Sequence, residues 1–198
     1  MDTTHFEKLP LAKQQTILSA GILCFGRSGY EKTAISEIAK EAGISKAAVF
    51  HYFGTKEDLF MYLVQYARQE VELNLPESSE DFFETMTMYI TAHFKLVKKH
   101  PGMYDFLLLV NDIVAKQSFE PMNKLSEGYQ EKNLQTIFAK VDWSKFKEGY
   151  DPITIVNLTT WIGTGFLSQM GQTLPLEEVQ QETERYLSIL RQALYKPE

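Results

Sequence analysis

The side chains best equipped for chemistry in this chain are His93, His100, the single cysteine Cys24, and a run of hydroxyl, amine and imidazole groups between Thr33 and Lys56. His93 and His100 invite a metal reading. On a helix, however, seven residues span roughly 10.5 Å of rise, too far for both rings to reach one ion at about 2 Å. The sequence holds no His-x-x-x-His, no cysteine pair and no glycine-rich phosphate loop. Neither metal nor cofactor is expected, and no catalytic residue is assigned. Cys24 falls on the expected inner face of the first long helix. A lone thiol makes no intrachain disulfide, which fits a reducing compartment.

The run from Thr33 onward points to a different chemistry. TAISEIAKEAGISKAAVFHYF (33 to 53) reads as two short helices joined by a glycine turn. Thr33 can cap the first, whose Ile35, Ile38, Ala39 and Ala42 share one face. Gly43 supplies a left-handed turn, Ile44 anchors it, and Ser45 starts the second helix as its N-cap. Small residues after Ser45 let a backbone approach base edges, the shape of a helix-turn-helix DNA reader. Thr55-x-x-Asp58 then opens a third helix with a capping-box-like start.

IAKEAGIS (38 to 45) followed by FHYFGTKEDL (50 to 59) resembles the TetR family of one-component bacterial regulators. The resemblance implies a DNA-binding set of Thr33, Ser36, Ser45, Lys46, Ala47, Phe50, His51, Tyr52 and Lys56. In that set Lys46, Ala47 and Phe50 face the major groove, Ser36 reaches in from the preceding helix, and Tyr52 and Lys56 contact phosphates. His51 could help at the backbone. Phe50 stands where the family usually has tyrosine, so a hydroxyl contact is lost there, although the ring can still touch a thymine methyl.

Charge argues the other way at first sight, since the chain has a net charge of -6 and nucleic-acid binders are commonly basic. Residues 1 to 60 carry seven Lys or Arg and seven Asp or Glu, so the whole acidic excess lies beyond the reader. A neutral reader still binds if a few lysines and helix N-termini face phosphate. No basic-then-apolar leader opens the chain, and the apolar run Phe106 to Val110 is far short of the roughly 20 residues of a membrane span. Export and membrane insertion are not expected, and the expected location is cytoplasmic.

Periodicity beyond the reader gives only helices, so the fold class is all-α: an N-terminal three-helix DNA-binding domain plus a C-terminal helical ligand-binding and dimerisation domain. Helices are expected over 10 to 28 (closed by Gly29), 55 to 73, 80 to 99, 101 to 116, 119 to 140, 153 to 170 and 176 to 195, with loop or short turns over 141 to 151. The expected boundary puts 1–54 in the reader and 55–198 in the second domain, with helix 55–73 bridging the two.

With 13 Phe, 10 Tyr, 7 Met and 2 Trp, the chain can line an apolar pocket. Candidate ligand-binding residues are Phe83, Met86, Tyr89, His93, Tyr104, Leu107, Asn111, Tyr129 and Trp161, for a small and partly apolar effector. Residues 153 to 170 are apolar nearly all round, as core or as a subunit seam. In the family resembled, this helix and its successor form the dimer seam, for which Val156, Thr160, Gly163, Leu167, Tyr186 and Leu190 are the candidates. The resulting expectation is a homodimeric, ligand-responsive repressor on a palindromic double-stranded operator. The alternative is a helical small-molecule-binding protein or enzyme without DNA activity.

Overall fold

Apolar residues spaced three and four apart become helix in the computed structural model, which describes residues 3–73, 77–127, 135–170 and 175–197. The helices are α1 (Thr4–Glu7), α2 (Leu11–Lys32), α3 (Ile35–Glu41), α4 (Lys46–Phe53), α5 (Lys56–Leu73), α6 (Phe82–Lys99), α7 (Met103–Lys116), α8 (Glu120–Ser126), α9 (Pro152–Met170) and α10 (Leu176–Leu194), with a 3-10 turn at Trp143–Lys145. Among the described residues the only β pairing is an isolated bridge between Phe146 and Tyr195. The all-α expectation holds.

Three local expectations are corrected. Residues 4 to 7 form a helix that periodicity does not predict, because a single buried ring, Phe6, anchors it and one residue carries no period. Regular helix in α2 is broken at Gly29 (φ 78), yet a further turn continues to Lys32. Where one helix is expected over 119 to 140, the described residues hold α8, a turn at Glu127, helix at 135–136 and turns at 137–140.

By contacts the chain divides into two compact units, Met1–Leu73 with Lys95–Leu125, and Asn74–Phe94 with Ser126–Glu198. In the first unit, α2 and α7 approach closely at Gly26, where a Cβ would sit 2.8 Å from the Gly102 carbonyl oxygen and 2.9 Å from the Phe106 nitrogen. Ile17, Ile22, Phe25, Leu59, Phe60, Leu63 and Phe106 of this unit are all fully buried, with the Phe60 ring 5.1 Å from Phe25 and 5.6 Å from Phe106. Burial of each such side chain contributes about 1.5 to 3 kcal/mol.

A polar knot ties three segments of this unit together. The buried His100 has Ser19 Oγ 3.2 Å from Nδ1 and Tyr66 Oη 2.9 Å from Nε2. Beside it Lys99 Nζ donates to Glu70 Oε2 at 2.7 Å. Burial, and then the neighbouring Lys99 charge, hold His100 below the ordinary imidazole range.

The second unit is built on aromatic rings. Phe82 lies 5.2 Å from Phe138, 5.5 Å from Phe146 and 5.6 Å from Trp143, centre to centre. The start of α6 is pinned there as well: Asp81 Oδ1 accepts from the Glu84 amide at 3.0 Å, and Asp81 Oδ2 accepts from Arg191 at 2.6 Å. The Phe82 amide donates to the Tyr195 hydroxyl oxygen at 3.0 Å.

Candidate nucleic-acid interface

The turn between α3 and α4 is made as its residue types dictate. Gly43 has φ 64, a conformation that costs a residue with a Cβ roughly 1 to 2 kcal/mol. Its amide donates to the Lys40 carbonyl at 3.2 Å, and the Ile44 amide to the Ala39 carbonyl at 2.9 Å. Ser45 then caps α4, its Oγ accepting from the Ala48 amide at 3.1 Å. Thr55 Oγ1 accepts from the Asp58 amide at 2.9 Å and donates to Asp58 Oδ2 at 2.7 Å, fixing the start of α5.

These constraints divide α4 into two faces. Val49 and Phe53, four residues apart, are buried; Tyr52 is half-buried; Ser45, Lys46, Ala47, Phe50 and His51 are exposed. The exposed set lies one and four residues apart and so forms one strip along the helix. Phe50 is 41% exposed, a ring left in water with Lys46 Nζ 5.8 Å above its centre. An exposed aromatic beside a lysine and an alanine makes poor packing material and a good surface for base edges and thymine methyls.

The other predicted DNA-binding residues are placed around this strip. Ser36 is exposed in the first turn of α3. Lys56, half-buried, reaches across to α2, where Nζ donates to the Glu31 carbonyl at 3.1 Å and lies 4.8 Å from the centre of the Tyr30 ring. Thr33 stands apart. It is buried, with Oγ1 2.7 Å from the Gly29 carbonyl oxygen and 3.1 Å from that of Cys24. It serves the end of α2, and the N-cap of α3 is Ala34, which has no side-chain cap. His5, which no motif marks, joins them: its ring lies 4.5 Å from that of His51. No pattern in the sequence joins residues so far apart.

The residues expected to line an effector pocket fall in both units. Phe83 and Met86 are buried in the aromatic core of the second unit. Tyr89 and His93 follow on the same helix, rings 4.3 Å apart, with His93 Nδ1 3.0 Å from the Tyr89 carbonyl oxygen. Burial keeps His93 below the usual imidazole range and therefore neutral. Tyr104, Leu107 and Asn111 lie on α7, in the first unit, with Asn111 exposed. Burial, with Asp105 adding to it, pushes the Tyr104 hydroxyl up to about 12. Trp161 is 70% exposed, and Tyr129 lies outside the described residues.

Of the residues expected at a subunit seam, Val156 and Leu190 pack partly against the aromatic core of their own unit. Thr160 is exposed, and Gly163 has nothing within 4 Å of where a Cβ would stand. Tyr186 packs on Phe166 at 5.1 Å, and the side chain of Leu167 lies outside the described residues. Ile153, Trp161 and Ile162 of α9 and Ile189 of α10 are exposed large apolar groups. Among the described residues no group of three or more His, Cys, Asp or Glu is placed to hold a metal ion, and no helix is long and apolar enough to cross a membrane.

A capped helix presented on a glycine turn, with a bare strip of small, aromatic and basic side chains, defines the class as a helix-turn-helix module on an all-helical body. Residues 17–63 match the model of the family described as bacterial regulatory proteins, tetR family. The chain is 27% identical over 132 residues to an HTH-type transcriptional repressor of Mycobacterium tuberculosis, covering 66% of this chain and 64% of that protein. It is 25% identical over 149 residues to a fatty acid metabolism regulator protein of Bacillus subtilis, covering 70% and 73%. A crystal structure of a TetR family transcriptional regulator from Chloroflexus aurantiacus has the same fold, with a TM-score of 0.62 at 18% identity over all of both chains. Residues 17–63 thus carry the DNA-binding region of the tetR family, on a chain with the fold of TetR-like regulators. The match spans just under two thirds of the mycobacterial repressor.

Proposed function

We propose that the protein is a homodimeric transcriptional repressor that reads a palindromic operator through α4 and leaves it when a small molecule binds. The observation that carries this reading is the exposed strip Lys46, Ala47, Phe50 and His51 on a helix whose opposite face is fully packed. Residues 1–54 act as the reader and 55–198 as the effector and dimerisation domain, with α5 carrying the signal between them. Such a regulator works in the cytoplasm, where the chromosome is.

Two copies are required because a single short helix reads too few base pairs, whereas a two-fold pair reads half-sites about 34 Å apart. The exposed apolar groups of α9 and α10 supply the seam, with Trp161 assigned to it by its exposure. Thr160, Gly163 and Tyr186 lie on the same two helices. The effector is small and partly apolar, and its polar end is oriented by neutral His93 and by Tyr89. The relationship to a fatty acid metabolism regulator accords with such chemistry. Effector and operator affinities are reciprocally coupled, because the ligand favours a reader spacing that no longer fits successive grooves.

Enrichment of bound duplexes from a random pool tests the reading. The expected product is one palindromic family whose binding Lys46→Ala weakens unequally across positions, by about 1 to 3 kcal/mol at the bases it contacts. Enrichment of no sequence would overturn it in favour of a binding protein without DNA activity.

A further inference from the structure

The exposed strip of α4 does not stop at its own last turn. His51 follows Ala47 by one helical turn, and His5, carried by α1, lies 4.5 Å from it centre to centre with the ring planes 38° apart. Both side chains are exposed. A four-residue helix has no stability of its own, so something must hold α1 in place. That anchor is the adjacent Phe6, fully buried, with its ring 4.8 Å from Phe53, 5.4 Å from Tyr62 and 6.3 Å from Tyr52. The core side of α4 thus fixes α1, and α1 in turn sets an imidazole at the edge of the reading strip.

We infer that α1 belongs to the DNA-binding surface and that His5 and His51 together receive one backbone phosphate, taking up a proton as the duplex binds. The inference rests on α4 being the element that enters the groove. Imidazole changes charge between pH 5 and 8, and contact with a phosphate favours its charged form. The other ionisable groups on the elements packed here are Glu7 of α1 with Lys8 just after it, Lys46 and Tyr52 of α4, and Lys56, Glu57, Asp58, Tyr62, Tyr66, Arg68, Glu70 and Glu72 of α5. Of these, Glu7 is engaged by the Thr3 hydroxyl at 2.6 Å. Backbone contacts carry no sequence information, so the effect belongs to all duplexes alike.

The test is the affinity of the full chain for a random-sequence duplex, followed from pH 6 to pH 8 at constant ionic strength. Wild type, His5→Gln, His51→Gln and the double variant are compared, with a thermal melt of each to confirm folding. For wild type the expected result is an affinity that falls with rising pH by about tenfold per pH unit for each proton taken up. His5→Gln is expected to lose at least half of that slope and the double variant nearly all of it. If wild type binds duplex but neither histidine moves the slope, this inference is overturned and the DNA-binding function stands. If folded wild type binds no duplex at any pH, the function itself is overturned, and this inference with it.

Discussion

Lys56→Ala separates what a lysine does for the fold from what it does for DNA. In the free protein its ammonium donates to the Glu31 carbonyl at 3.1 Å and sits 4.8 Å from the Tyr30 ring centre. A charged hydrogen bond of this kind contributes about 1.5 kcal/mol at the low end suited to a half-exposed group. The ring contact adds about 0.5 kcal/mol. Their loss, about 2 kcal/mol, should lower the melting midpoint by about 4 to 8 °C in a chain of this size. The same residue is proposed to contact phosphate, and each such contact contributes about 0.9 to the slope of log affinity against log salt. A dimer with two readers should therefore lose about 1.8 from that slope. Calorimetry on the free protein and fluorescence anisotropy with labelled duplex at several salt concentrations give the two numbers independently. An unchanged midpoint would refute the energetic reading of the Glu31 and Tyr30 contacts, and an unchanged slope would refute the phosphate contact.

Gly26→Ala places a methyl against the backbone of residues 102 and 106, where nothing flexible can yield. Chemical denaturation should show a loss of about 1 to 3 kcal/mol, although alanine is the better helix former. His100 and His93 are both held below the ordinary imidazole value of 6.5, chiefly by burial. The unfolded chain therefore binds more protons in mild acid, so their contribution to stability is fully present above pH 6.5 and is lost as pH falls towards the folded values. Denaturation midpoints across this range should fall with acidity, and His100→Gln should flatten the decline. Trp161→Lys puts a charge on the exposed face of α9 proposed as the subunit seam, so sedimentation should report a shift from dimer to monomer while the helical circular dichroism signal persists.

The helices and the reader were legible in the sequence because their determinants are local. Gly43, Ser45 and the Thr55–Asp58 pair each act within a few residues, and each does in the structure what its type predicts. Non-local determinants were not legible. Thr33 has the right chemistry for an N-cap, but the carbonyls at the end of α2 lie close enough to take its hydroxyl instead. The Asp81–Arg191 ion pair and the Ser19–His100–Tyr66 knot join residues far apart in the chain, with no periodic pattern to announce them. Trp161 illustrates the remaining difficulty: in a helix apolar nearly all round, periodicity cannot say which face meets the core, and coordinates place this ring outside it.

Affinity cleavage from α4 tests the central claim most directly. With Ala47→Cys carrying an iron chelate and bound to a duplex enriched from a random pool, strand scission should fall in two symmetry-related patches of major groove. Their centres should lie one helical turn, about 34 Å, or a multiple of it apart. Scission scattered evenly along the duplex, or confined to a single patch, would contradict a two-fold assembly that reads its site through α4.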